Sequence, residues 1–217
     1  MSKKHNKNKN NWRYKTGQHL IKKEPSFKKI LYRDKRALKA LYICGHVRRE
    51  NLLKFIPKSR IETFEKDKLI EKVTSKNGKI VAYKFTKQGR EFVNDQLGWQ
   101  HAYIPKSLRH DLIIEKKFFQ LSEEQQEFAK SEREVKEELE YKSFLLHDDK
   151  QKTETLLKYI EEQTSPVDFM YQEINENTGE VEYVGFEAVT PNYSAEERQM
   201  KHNFCSQFGC RLEMRRS

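Results

Sequence analysis

The sequence has no long apolar run and few cysteines. No stretch of about 18 consecutive apolar residues occurs in the 217-residue chain, so we expect no membrane-spanning helix. The basic N-terminus has no apolar segment behind it, so we expect no secretory signal. Cys44, Cys205 and Cys210 lack a framework spacing, which favours reduced thiols in a cytoplasmic protein. A zinc site formed by the last two with His202 is disfavoured, because no second ligand pair follows.

Acidic residues are scarce in the first half of the chain. Residues 1–110 hold 29 Lys and Arg against 9 Asp and Glu, whereas residues 111–217 hold 14 against 24. This asymmetry predicts two units with different roles, of which the basic one suits phosphate backbones. Residues 1–25 carry eight Lys and Arg without apolar periodicity. They are predicted to form a flexible basic arm, which adds phosphate contacts or serves only solubility.

Residues 26–98 show a helical pattern followed by a hairpin pattern. Apolar residues at helical spacing predict a first helix that ends at Gly45 and a second over 48–55. Ser59 and Glu62 predict a capping box at the start of a third helix. Asn77-Gly78 then lies between two alternating apolar runs, which is a strong hairpin signal. Three helices and a hairpin predict a winged helix-turn-helix domain, followed by a linker over 99–110.

Such a domain places its third helix in the major groove of double-stranded DNA. The alternative is a winged helix used for protein contact, which the strong positive charge disfavours. The residues expected to contact DNA from the helices and the wing are Arg49, Lys58, Arg60, Thr63, Lys66, Lys76 and Lys79.

Residues 167–174 and 181–189 predict a second hairpin, with its turn near Asn177 and Thr178. In this register the numbers of two paired residues add up to 355, so Asp168 faces Glu187. Because directly opposed like charges are destabilising, the pair suggests a bound cation, and carboxylate oxygens suit Mg²⁺ or Mn²⁺. A slip of one residue would separate the two carboxylates, and a solvated hairpin surface is the other alternative.

Residues 166–190, from Pro-Val-Asp-Phe to Gly-Phe-Glu-Ala-Val-Thr, resemble the PD-(D/E)xK nuclease motif. Leu31-Tyr32-Arg33-Asp34 and the segment from Tyr83 to Gly89 resemble the plasmid replication-relaxation family. The combination, over roughly residues 27–217, is similar to the MobC-type relaxases of mobile elements. The resemblance implies an α+β fold: an N-terminal winged helix-turn-helix followed by a restriction-endonuclease-like α/β domain over 111–217.

The resemblance also implies site residues and a function. Asp168 and Glu187 are the expected ligands of Mg²⁺ or Mn²⁺, with Glu132 as a looser third. The position of the motif lysine holds Val189, so Lys201 is the best catalytic replacement and Gln199 the second.

The implied activity is metal-dependent DNA nicking at an origin of transfer or replication, with relaxosome or conjugation proteins as further partners. The alternative is a non-catalytic DNA-binding accessory factor or transcriptional regulator with a degenerate nuclease fold. Whether the chain forms a homodimer is left open.

Overall fold

A computed structural model describes residues 29–100, 102–145, 149–176 and 178–216. The predicted arm over 1–25 lies outside these residues. The elements of the N-terminal half are α1 (Tyr32–Cys44), β1 (Val47–Arg48), α2 (Arg49–Leu52), α3 (Lys58–Lys66), β2 (Ile70–Thr74), β3 (Val81–Phe85) and α4 (Lys87–Leu97). The strands form an antiparallel sheet in the order β1-β3-β2, so the short β1 completes the predicted hairpin.

Local signals account for most of these boundaries. Gly45, with φ of 74°, ends α1, and Gly78, with φ of 71°, lies in the turn between β2 and β3. Thr86 caps α4 by accepting a hydrogen bond from the Gly89 amide. The predicted capping box at Ser59 is wrong, because the N-cap of α3 is Pro57, two residues earlier.

The C-terminal half builds a second sheet with helices packed on it. Its elements are α5 (Leu108–Phe118), α6 (Glu123–Phe128), β4 (Lys130–Ser131), α7 (Glu132–Leu145), α8 (Lys150–Gln163), β5 (Phe169–Ile174), β6 (Val181–Val189), α9 (Ala195–Phe208) and β7 (Arg211–Arg216). The strand order is β4-β5-β6-β7. Strands β5 and β6 are antiparallel, and α9 crosses over to place β7 parallel to β6. The fold is therefore mixed α and β, as predicted.

One buried cluster runs through both halves of the chain. It contains Leu38 and Leu41 of α1, Phe118 of α5, and Phe169 and Phe186 of the second sheet. A smaller cluster lies between α7, α8, α9 and the same sheet. The two halves therefore share a core, and the predicted linker over 99–110 contributes the buried Tyr103 to it.

Buried charges also join the halves. Glu115 on α5 is fully buried and accepts hydrogen bonds from Arg48 N at 2.7 Å, Arg48 Nε at 2.6 Å and Asn51 Nδ2 at 2.7 Å. A carboxylate removed from water is tolerated when its oxygens are satisfied in this way. None of the described helices is long and apolar enough to span a membrane.

Candidate active site

Asp168 and Glu187 lie opposite each other at one end of the second sheet. Strands β5 and β6 pair Phe169 with Phe186, which confirms the predicted register and places Asp168, one residue before β5, beside Glu187. Both side chains are buried, with 1% and 3% of their surfaces exposed. The sequence therefore predicted this pair correctly, and it is not a solvated hairpin surface.

Reciprocal hydrogen bonds fix the orientation of the two carboxylates. Glu187 Oε2 accepts from the backbone amide of Asp168 at 3.1 Å. Asp168 Oδ2 accepts from the backbone amide of Ala188 at 2.8 Å. Because each carboxylate binds a main-chain group of the neighbouring strand, the hairpin itself holds the pair in place.

Helix α9 and the loop before it supply the partners of Glu187. Lys201 Nζ lies 3.0 Å from Glu187 Oε2 and also donates to the carbonyl oxygen of Pro166. Tyr193 Oη donates to Glu187 Oε1 at 2.9 Å. Ser194 and Glu197 form the predicted capping box of α9, which fixes where the helix begins and so where Lys201 lies.

The second carboxylate oxygen of Asp168, Oδ1, faces two cations. His110 Nε2 lies 3.3 Å and Lys106 Nζ 3.8 Å from Asp168 Oδ1. Lys106 Nζ is also 3.3 Å from Glu132 Oε2, so it bridges the two carboxylates. Among the described residues, Asp168 Oδ1 nonetheless has no hydrogen-bond partner of good geometry. This oxygen is buried, and its potential to accept is unused.

A buried network of side-chain contacts continues from Asp168 into the N-terminal half. His110 Nδ1 lies 3.0 Å from Asp111 Oδ1, and His46 Nδ1 lies 2.8 Å from Asp111 Oδ2. Tyr103 Oη lies 3.4 Å from both His110 Nδ1 and Asp111 Oδ1. Sequence reasoning missed this network. The adjacent His110 and Asp111, at the end of the predicted linker, were the one available signal.

Burial and neighbouring charges shift the protonation of these groups. Burial, together with the charge of Asp168, raises the pKa of Glu187 to about 7, against the lowering influence of Lys201. Burial is the larger of the two causes that raise this pKa. Burial alone would lower the pKa of His110, but Asp111 and Asp168 outweigh it and raise that pKa to about 9. Burial would raise the pKa of Asp111, but His110 and His46 hold it below its ordinary value.

These shifts predict how stability depends on pH without added metal. Because its pKa is raised, Glu187 holds its proton more tightly in the folded protein than in the unfolded chain. Its contribution to stability is complete below the ordinary pKa of glutamate and is lost as the pH rises through about 7. The contribution of His110 is complete below its ordinary pKa and is lost as the pH rises through about 9. We therefore expect stability to fall as the pH rises between about 5 and 9.

Urea unfolding at several pH values checks this prediction, with Glu187→Gln as the matched variant. Gln cannot titrate, so the loss between about pH 5 and 7.5 should be smaller in the variant, while the loss attributed to His110 remains. Equal losses in the wild type and the variant over that range would contradict the assignment to Glu187.

The chemistry of the pair fits a small divalent cation. Mg²⁺ is commonly held by one or two carboxylates, with water and substrate phosphate as the other ligands. Asp168 and Glu187 provide two carboxylates on adjacent strands, and Asp168 Oδ1 has unused acceptor capacity. Among the described residues, no group of three or more His, Cys, Asp or Glu is placed to hold a metal ion. Glu132 contacts Lys106 instead. A bound cation would therefore depend on Asp168 and Glu187.

One residue predicted for the site lies away from its carboxylates. Gln199 lies on the exposed face of α9, where its side chain donates to Asn203 Oδ1 at 3.0 Å. The site therefore does not contain Gln199. Val189 is buried near the end of β6 and is aligned with Arg216 of β7.

The residues predicted to contact DNA fall into two groups. Lys58 and Lys66 on α3 and Lys76 and Lys79 in the turn between β2 and β3 are exposed. Lys58 pairs weakly with Glu62, at 3.5 Å. Thr63 is half-buried, and its hydroxyl donates to the Ser59 carbonyl at 2.9 Å.

The two arginines predicted to contact DNA, Arg49 and Arg60, are less exposed than these lysines. Arg60 was expected to face outward, but its Nε and Nη2 atoms bind the buried carboxylate of Asp34 at 3.0 and 2.6 Å. The ion pair joins α3 to the start of α1, so the outward orientation predicted for Arg60 is wrong. Arg49 is half-buried, and its Nε atom is buried without a hydrogen-bond partner among the described residues.

No protein-family model matches this chain, and neither a curated protein nor a solved structure matches it significantly.

Proposed function

We propose that this protein binds double-stranded DNA through its N-terminal half and cleaves one strand with a metal-dependent site at Asp168 and Glu187. The observation that carries the proposal is the buried carboxylate pair on adjacent strands, with Lys201 3.0 Å from Glu187 and an unused acceptor oxygen on Asp168. Buried, closely paired carboxylates are costly to maintain, and such groups cluster at functional sites. Nicking at an origin of a mobile element, with relaxosome or conjugation proteins as partners, is the specific activity that we propose.

The DNA-binding part of the proposal is supported by shape and charge. Three helices followed by a hairpin, with β1 at the edge of the sheet, are the order expected of a winged helix. Exposed lysines lie on α3, the helix that this fold inserts into the major groove, and at the hairpin turn. The large positive excess of residues 1–110 provides the attraction for phosphates.

The residues of the site have different roles in phosphodiester hydrolysis. Asp168 and Glu187 would hold Mg²⁺ or Mn²⁺, which polarises a phosphate and lowers the pKa of a water. Lys201 keeps Glu187 oriented toward Asp168, and Tyr193 binds the other oxygen of Glu187. His110, itself held by Asp111, fixes the side of Asp168 that faces the N-terminal half.

Nicking of a supercoiled plasmid tests the proposal directly. The plasmid should carry the DNA that flanks the gene for this protein, so that a native origin is present. We expect conversion to the open-circular form with Mg²⁺ or Mn²⁺ and none with a chelator. A full-length protein that binds this DNA but never nicks it with either metal would refute the nuclease.

That outcome would favour a DNA-binding accessory factor or regulator instead. Two observations support this second candidate. Asp168 and Glu187 each have a cation of the protein within 4 Å, and Val189 stands where the nuclease motif has a lysine. Such a site could serve stability without binding a metal.

Removal of charge from α3 and the hairpin turn should weaken DNA binding. We expect the combined variant Lys66→Gln, Lys76→Gln, Lys79→Gln to lose affinity for duplex DNA, because these exposed ammonium groups are free to meet phosphates. Each lost phosphate contact should reduce the slope of log affinity against log salt by about one. Fluorescence anisotropy across a salt series measures both quantities.

The matched control removes charge from the exposed face of α8. The combined variant Lys150→Gln, Lys152→Gln, Lys158→Gln, at side chains 92%, 75% and 73% exposed, removes the same three charges and should change the affinity much less. An equal loss in both variants would mean that the net charge, and not this surface, drives binding.

A further inference from the structure

Two lysines approach the carboxylate pair, and they differ in exposure. The side chain of Lys201 is 7% exposed, and its ammonium group binds Glu187 and the carbonyl oxygen of Pro166. The side chain of Lys106 is 53% exposed, although its ammonium group lies 3.8 Å from Asp168 Oδ1. A phosphate group from solvent can therefore reach Lys106 without displacing buried structure, whereas Lys201 is enclosed by protein.

Lys106 also lies in the wall of a cavity of about 500 Å³ next to the site. Pro166, two residues before Asp168, forms part of the same wall, so the cavity opens beside the carboxylates. Arg133 and Lys136 on α7 line it as well and provide two further cations. Their partners, Glu137 and Glu140, lie one helical turn away at 3.1 and 3.8 Å and line the same cavity, as does Glu132. Exposed pairs of this type are weak, and a phosphate can compete for the cations.

The present partners of Lys106 leave it able to turn toward a substrate. Its contact with Glu132 is 3.3 Å long, and the Glu132 side chain is 29% exposed. The ammonium group also makes a cation–π contact with the Tyr103 ring, 5.8 Å from the ring centre. Of the groups that hold Lys106 near Asp168, Glu132 is the one open to water.

We propose that Lys106 contacts the phosphate of the DNA strand that is cleaved, whereas Lys201 is a positioning residue for Glu187. This inference rests on the proposed nuclease function. Hydrolysis adds one water across one P–O bond and gives a phosphate and a hydroxyl. Lys106 remains protonated throughout and stabilises the negative charge that develops on the phosphate oxygens. The cavity lined by Arg133 and Lys136 receives the phosphates next to the cleaved bond.

Substitution of Lys106 and substitution of Lys201 should change different kinetic quantities. Lys106→Gln should lower kcat for plasmid nicking by about 100-fold, comparable to the loss of one transition-state hydrogen-bond donor. The Mg²⁺ concentration for half-maximal rate should stay the same or fall, because a competing cation near Asp168 is gone. Lys201→Gln should raise that Mg²⁺ concentration, because Glu187 loses its orienting partner. Lys106→Arg should recover part of the rate, since it keeps the charge.

Strand binding gives a readout that is independent of cleavage. In Ca²⁺, a fluorescent oligothymidylate of twelve nucleotides should bind Lys106→Gln more weakly than Lys150→Gln, the matched control on α8. Equal affinity of these two variants would overturn the phosphate contact, whether or not the wild type nicks DNA. A wild type that nicks while Lys106→Gln nicks at the same rate would overturn the catalytic assignment alone. A wild type that never nicks would refute the proposed function instead.

Discussion

Replacing Asp168 with Asn or Glu187 with Gln should abolish metal-dependent nicking and leave duplex affinity nearly unchanged. The two carboxylates are the groups available to hold a divalent cation, because no described cluster of three ligands exists. A metal ion contributes several kcal/mol to stabilising a phosphoryl transition state, so its loss corresponds to at least about a thousandfold in rate. Duplex affinity should persist, because the exposed lysines of α3 and the hairpin lie on other elements.

Plasmid nicking and Mn²⁺ binding by calorimetry measure the two consequences separately. Both variants should lose Mn²⁺ binding together with activity. Glu182→Gln is a suitable control, since this glutamate lies on the same strand β6 but outside the buried pair. Unchanged nicking by a protein that carries both Asp168→Asn and Glu187→Gln would remove the nuclease proposal, and intact Mn²⁺ binding by that protein would remove the metal site.

Glu115→Ala should destabilise the whole chain by about 3–5 kcal/mol, the usual effect of breaking a buried ion pair. The change removes an acceptor that satisfies both the main chain and the side chain of Arg48, as well as the amide of Asn51. Asn51 would remain buried, and Arg48 partly buried, between α5 and the N-terminal half.

Urea unfolding followed by circular dichroism and tryptophan fluorescence measures this effect. Because the core runs through both halves, the two probes should report one common transition in the wild type. Glu161→Ala, an exposed position on α8, should change stability by no more than about 0.5 kcal/mol. Two separate transitions, or a loss below about 1 kcal/mol in Glu115→Ala, would show that the halves are independent.

The sequence by itself determined the features that depend on local geometry. The alternation of apolar residues and the turn near Thr178 set the register of β5 and β6, so Asp168 and Glu187 were paired correctly. Ser194 with Glu197 and Asn77 with Gly78 marked a helix start and a turn in the same way. Side chains two residues apart share a face of a strand, and such patterns do not require knowledge of the rest of the chain.

Only the tertiary structure decided which distant residues meet. His110 and Asp168 are separated by 58 positions and His46 and Asp111 by 65, so no local pattern could connect them. Arg60 is predicted to contact DNA from the outward face of its helix, but Asp34, on another helix, binds it. Charged side chains are directed by the partners that replace water, and those partners are set by how helices and sheets pack. For that reason Lys106, which the sequence placed in a linker, lies beside the carboxylates that the sequence had identified.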